Sequence, residues 1–136
     1  MQVRPYLQYL LVPALPFLLG AGAAPATPSA DLEQVALGAA LYKQQCADCH
    51  AVSGGAGANG PGLRGIIGAG AGSRPGFPYS DALAGSGLVW DEAMLDKWLA
   101  DPAAMVPDNM MGFIGLKKAD ERAAIIAYLR DATAGE

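Results

Sequence analysis

The chain has 136 residues, room for one domain and little more. Charged residues make up 16% and the formal net charge is −4. An acidic chain without a run of Lys or Arg is a poor partner for nucleic acid or an anionic membrane surface. Its Gly 18 and Pro 10 point to a loop-rich body.

In chain order, the first segment reads as an address. Arg4 is the one charged side chain before Asp31, an apolar run follows from Leu7 to Leu19, and Ala21-Gly22-Ala23 supplies small residues at a cleavage spacing. Residues 1–23 are therefore expected to be a secretory signal peptide cut before Ala24. Pro13 and Pro16 and the shortness of the run argue against a spanning helix. An uncleaved anchor is the alternative, and both place the remainder outside the cytoplasmic membrane. Residues 24–30 read as a linker and 31–136 as the domain.

Asp31, three residues before Gln34, has the spacing of a capping box, and Leu32, Val35, Ala36, Ala39 and Tyr42 repeat at helical spacing as far as Cys46 or Ala47. Glycines then crowd the chain from Ser53 to Pro78, and no ordinary element fits there. A loop this long in a small domain needs something to wrap around. Ser80 caps a short helix ended by Gly85. Asp91 caps another, with Trp90 and Leu95 at staple positions and Met94, Leu95, Trp98 and Leu99 as its apolar face, and Pro102 stops it. Ala103 to Leu116 reads as irregular. A last helix runs from about Ala119 to Ala132, with Ile125, Ile126, Tyr128 and Leu129 on its buried side. No strand and no repeat are visible, so the domain is expected to be all-α with too few large side chains to fill its own core. A large apolar cofactor would fill the gap.

Cys46-Ala47-Asp48-Cys49-His50 is a C-x-x-C-H motif, the pattern of covalent haem c attachment. Each thiol adds across one haem vinyl group, two intervening residues match the vinyl separation on a helical backbone, and the adjacent imidazole reaches the iron. Three other readings compete. A redox dithiol wants a thioredoxin-like βαβ context. A Cys46–Cys49 disulfide would close a very small loop. Zinc wants four ligands where three suitable residues stand together.

His50 is the only histidine, so two histidine ligands are impossible. Met94 reads as core, whereas Met105, Met110 and Met111 lie in an irregular segment that can bring a thioether over a flat cofactor; gap filling is the competing role for each. A Met ligand opposite His favours Fe(II) and raises the potential.

From about Gly38 to Thr133 the chain resembles the class I c-type cytochromes, in particular the mitochondrial cytochrome c and bacterial cytochrome c2 group. Gly38 to Tyr42, the Cys46–His50 motif, Gly60-Pro61-Gly62-Leu63, Pro78 to Ala82, Val89-Trp90, Pro107 to Phe113 and Ile126 to Leu129 occur in the family's order. The resemblance implies Met111 as the axial thioether, with Met110 as the fallback, and Pro61 as acceptor of the hydrogen bond that orients His50. It implies that Tyr79 and Trp90 bond a buried haem propionate, and that Gly38, Tyr42 and Tyr128 form the crossing of the first and last helices.

The departures are specific. Trp98 stands where the family usually has a Tyr beside the Met sulfur, Asn109 where a Thr is common, and Leu83 where an Asn is common, which dries the pocket. Ala69 stands where an Arg often neutralises the propionates, and the sequence leaves open whether Arg74 substitutes. Gln45, Ala103, Ala104 and Met110 replace lysines of the mitochondrial haem edge, leaving Lys117 and Lys118.

The resemblance thus implies an all-α cytochrome c fold: four to five short helices with long Gly-rich loops around one haem c held by Cys46 and Cys49. It implies a monomeric, periplasmic single-electron carrier, not an enzyme, in a respiratory chain. Redox partners would dock transiently at the haem edge: a quinol-oxidising complex or periplasmic dehydrogenase on one side, an oxidase or reaction centre on the other. Two alternatives stand beside it, a haem enzyme or sensor with an open sixth site and a dedicated electron-acceptor subunit of one dehydrogenase.

Overall fold

The computed structural model describes residues 28–53 and 55–133. The expected signal peptide and its cleavage point lie outside the described residues. Five helices follow in order: α1 (Pro28–Gln45), α2 (Asp81–Ala84), α3 (Glu92–Ala100), α4 (Pro102–Met105) and α5 (Ala119–Thr133). Among the described residues there is no strand, only an isolated antiparallel bridge between Gly70 and Val89. None of these helices is long and apolar enough to cross a membrane.

Helix α1 begins three residues earlier than the Asp31 cap implied, taking in the last three residues of the expected linker. Pro28 explains the start: proline is well tolerated in the first turn, where its missing N–H is no loss. Asp31 becomes a first-turn acid that favours the helix dipole instead of a cap. The expected apolar face also narrows. Leu32 is 70% exposed, and the helix buries Gly38 and Tyr42, with Val35, Ala39 and Leu41 half-buried.

That narrow strip meets α5, which buries Ala124, Ile125, Ile126, Ala127 and Leu129. At the crossing, Gly38 lies so close to the α5 backbone that a Cβ there would strike the Ala124 carbonyl and come within 2.8 Å of Tyr128 Cβ. One turn on, the Tyr42 and Tyr128 rings pack at 5.2 Å between centroids.

The capping expectations hold for α2 and α3. Ser80 Oγ accepts from Leu83 N at 3.3 Å, and Asp91 Oδ1 accepts from Met94 N at 2.7 Å. Helix α3 buries Leu95, Trp98 and Leu99. The stretch after Pro102 is not wholly irregular: Asp101 Oδ1 accepts from Ala104 N at 3.0 Å and caps the single turn of α4, with Pro102 at its start. Arg122 of α5 ties α3 and the following loop together. Its Nε donates to Asp96 at 2.7 Å and its Nη1 to the Leu116 carbonyl at 2.9 Å.

Candidate functional site

The helices do not close on one another. Between them and the glycine-rich loop lies a cavity of about 280 Å³, close to the size of clefts that take a small-molecule cofactor. Leu95, Trp98, Leu99, Ile125 and Leu129 belong both to the hydrophobic core and to this cavity's wall. The core is therefore a shell around the site.

The C-x-x-C-H segment follows α1 in a helix-like turn. Cys46 N donates to Tyr42 O at 2.8 Å, and His50 N to Cys46 O at 2.9 Å. Cys46, Cys49 and His50 all line the cavity. Neither cysteine is in a disulfide. Burial, then the neighbouring Cys49, pushes the Cys46 thiol up to about 11. A redox dithiol needs the opposite shift, toward thiolate at neutral pH. Among the described residues no cluster of three His, Cys, Asp or Glu could hold a metal ion, which disfavours the zinc reading.

The imidazole is oriented from behind. His50 Nδ1 lies 2.8 Å from the Pro61 carbonyl oxygen. That oxygen can only accept, so Nδ1 carries a proton, and in the neutral ring the lone pair is then on Nε2. Gly60 lets the loop close over the ring, since a Cβ there would sit 2.6 Å from His50 Cε1. Tyr42 Oη donates to the His50 carbonyl at 2.8 Å, linking the helix crossing to the motif. Burial, then the charges of Cys46 and Tyr128, pushes Tyr42 up to about 12.

Of the candidate methionines, Met110 and Met111 line the cavity, whereas Met94 and Met105 pack half-buried on the core away from it. Met110 is 66% exposed; Met111 packs against the core. Asn109 does not line the cavity. Its Nδ2 donates to the Pro102 and Val106 carbonyls at 3.0 and 2.8 Å, and its Oδ1 accepts from Met111 N at 2.9 Å. It fixes the Met111 backbone rather than touching whatever fills the cavity. Asp108, at φ 64°, makes the turn that lets it do so.

Pro61, Tyr79, Trp90 and Trp98 line the cavity. The two indoles pack at 5.2 Å between centroids. Leu83 and Arg74 line it as well. The donor set fits a covalent haem: two thiols, an imidazole with a free lone pair and a thioether around apolar, largely aromatic and aliphatic walls.

A fold of short helices around such a cavity, entered by a C-x-x-C-H turn, defines a c-type cytochrome. Residues 35–133 match the Cytochrome c family. Cytochrome c2 of Rhodomicrobium vannielii is 52% identical over 87 residues, covering 63% of this chain and 70% of the relative. Cytochrome c type-1 of Ascaris suum is 43% identical over 107 residues, covering 79% and 93%. Cytochrome c of Sesamum indicum is 44% identical over 98 residues, covering 71% and 88%. The chain belongs to the cytochrome c family. It is an electron carrier, and its cofactor is one covalent haem c.

Proposed function

We propose that the protein is exported to the periplasm and shuttles single electrons, with Cys46 and Cys49 as the thioether anchors and His50 and Met111 as the axial ligands. The bound haem supplies a one-electron Fe(II)/Fe(III) couple. The observation that carries the reading is the shared lining of one cavity by the only histidine and a methionine, each held by a main-chain-directed hydrogen bond: His50 through Pro61, Met111 through Asn109.

Each residue's part follows from its chemistry. His50 presents the Nε2 lone pair in a fixed tautomer. Met111 would supply the iron with a soft, uncharged donor, which favours the ferrous state and would take the position that peroxide or gas needs. The apolar walls exclude water and so disfavour the ferric charge. Tyr79 and Trp90 are two of the donors available for a buried haem carboxylate. The redox partners would be a quinol-oxidising complex or a periplasmic dehydrogenase as donor and an oxidase or reaction centre as acceptor. They would touch the molecule around Met110, Ala103 and Ala104, all exposed.

The test is the visible spectrum of the full chain expressed with a cytochrome c maturation system. The expected result is a low-spin c-type spectrum with the weak far-red band of sulfur ligation. Met111→Ala should abolish that band and let carbon monoxide bind the ferrous protein; Met110→Ala should leave both unchanged. A parent that is high-spin and binds carbon monoxide readily refutes the carrier reading in favour of an enzyme or sensor.

A further inference from the structure

Arg74 is the one charged side chain of Lys, Arg, Asp or Glu type lining the cavity among the described residues. It sits in the loop that the Gly70–Val89 bridge and the Ala71 N to Leu88 O hydrogen bond (2.8 Å) pin to the body of the protein. Its Nη2 donates to the Arg64 carbonyl, which locks the guanidinium fork in one place. Its Nε is buried and has no hydrogen-bond partner within the protein. A buried donor on a cation is costly to leave unpaired, and the planar fork of a guanidinium matches the geometry of a carboxylate.

Arg74 shares the wall of this cavity and of a smaller one beside it, and what occupies the larger cavity can supply the acceptor. Tyr79 stands close by. Burial raises its pKa, while the Arg74 main chain and guanidinium pull it back down, so phenol and cation are neighbours. Haem carries two carboxylates on one edge, and the cavity holds one permanent cation.

We propose that Arg74 is the cationic partner of a haem carboxylate, donating its Nε–H to it and keeping it ionised inside the cavity. The inference rests on the reading of this cavity as the haem site. An anion near the iron favours Fe(III), so a cation that offsets it raises the potential; removing the cation lowers it. The carboxylate's own pKa would rise at the same time, because nothing else charged faces it. The other titratable groups on the wall are Tyr42, Cys46, Cys49, His50 and Tyr79. In the loaded protein the cysteines are thioethers and His50 is on the iron, and both tyrosines are shifted upward from 10.0, above the working range.

The experiment is a redox titration from pH 5 to 8 of the haem-loaded parent, Arg74→Gln and Arg74→Lys. At pH 8, R74Q should lose ferrous preference by about three- to tenfold, tenfold being about 59 mV for one electron. Its potential should fall as pH rises through a step that the parent lacks. R74K, keeping the charge, should stay within about twofold of the parent. The proposal is overturned if R74Q keeps the parent's potential and pH profile. It is also overturned if R74K falls as far as R74Q, since Arg74 would then merely brace the loop through the Arg64 carbonyl. Should neither variant take up haem, the parent decides: a flat profile supports the proposal, and a falling step across this range overturns it. A parent that matures without covalent haem refutes the underlying site reading itself, a failure separate from any change in potential.

Discussion

Gly38→Ala sets two effects of opposite sign against each other. In a helix interior alanine is favoured over glycine by about 1 kcal/mol, so on propensity alone the change should stabilise α1. The structure says otherwise. The new methyl would strike the Ala124 carbonyl oxygen, lie 2.6 Å from its carbon and stand 2.8 Å from Tyr128 Cβ. Two of these are backbone atoms and cannot rotate aside, so relief requires the helices to part. Overpacking of this kind costs about 1–3 kcal/mol, and a backbone obstacle puts it at the upper end, about 3. The net loss is about 2 kcal/mol, a fall in Tm of about 8 °C or more for a domain of this size at about 4 °C per kcal/mol. Thermal melts of the haem-loaded protein measure it. Exposed Ala40→Gly in the same helix calibrates the propensity effect and should cost about 1 kcal/mol. A G38A protein that melts at or above the parent refutes the argument that close approach fixes this crossing. Parting the helices would also loosen the Tyr42–Tyr128 pair, and with it the Tyr42 bond to the His50 carbonyl.

Other perturbations have equally definite outcomes. Asp91→Ala removes the acceptor for Met94 N at 2.7 Å and should cost about 1 kcal/mol in chemical denaturation. Arg122→Ala should cost more, about 2–3 kcal/mol, because its guanidinium, on a side chain 12% exposed, serves two carbonyls as well as Asp96. Asp96→Asn should cost under about 1 kcal/mol, since that carboxylate's side chain is 43% exposed. Stability should fall as pH rises from 10.0 toward about 12, because the folded state holds Tyr42 protonated above its ordinary pKa; an alkaline denaturation series shows it, and Tyr42→Phe should remove that part of the loss. Finally, the electron-transfer rate with the natural partner should change little with ionic strength. Gln45, Ala103, Ala104 and Met110 carry no charge, and Lys117 and Lys118 already face Asp101 and Glu121 at 3.9 and 2.8 Å. A steep salt dependence would refute an apolar docking edge.

Features written in adjacent residues were legible from the sequence. The C-x-x-C-H turn, the Ser80 and Asp91 caps and the buried side of α5 each depend on spacing within a few residues, and local hydrogen bonds realise them. The structure departs from the sequence pattern where a local signal has two meanings. Asp31 and Gln34 have capping-box spacing, yet a helix started by Pro28 uses Asp31 as a first-turn acid. Leu32 has the right period, but it stands exposed. Asp101-Pro102 is a helix start as much as a stop, and its one turn is too short to carry a helical period. Asn109 illustrates a different limit. Its place beside Met111 is visible in the sequence, but its three bonds back to the backbone depend on how the loop folds over α4. The orphaned Arg74 nitrogen belongs to the same class, since only the path of the loop puts it inside.

The shell-like core carries a last prediction about folding itself. Leu95, Trp98, Leu99, Ile125 and Leu129 face the cavity as well as one another. If the cofactor is withheld, those surfaces lose their packing partner. For a cavity of about 280 Å³, the usual ~24 cal/mol per Å³ gives a penalty of up to about 7 kcal/mol, a ceiling because the mouth admits water. That is comparable with the whole stability of a small domain, about 5–15 kcal/mol. The double variant Cys46→Ala, Cys49→Ala, produced without haem, should therefore lack fixed side-chain packing: near-UV circular dichroism weak or absent, and no cooperative melt. Helix α1 and α5 have their own contact through Gly38 and Tyr42, so some far-UV helical signal should survive. A haem-free chain with a sharp melt and full near-UV signal would show that the cavity walls support themselves. The glycine-rich loop would then owe its path to its own hydrogen bonds, not to the group it encloses.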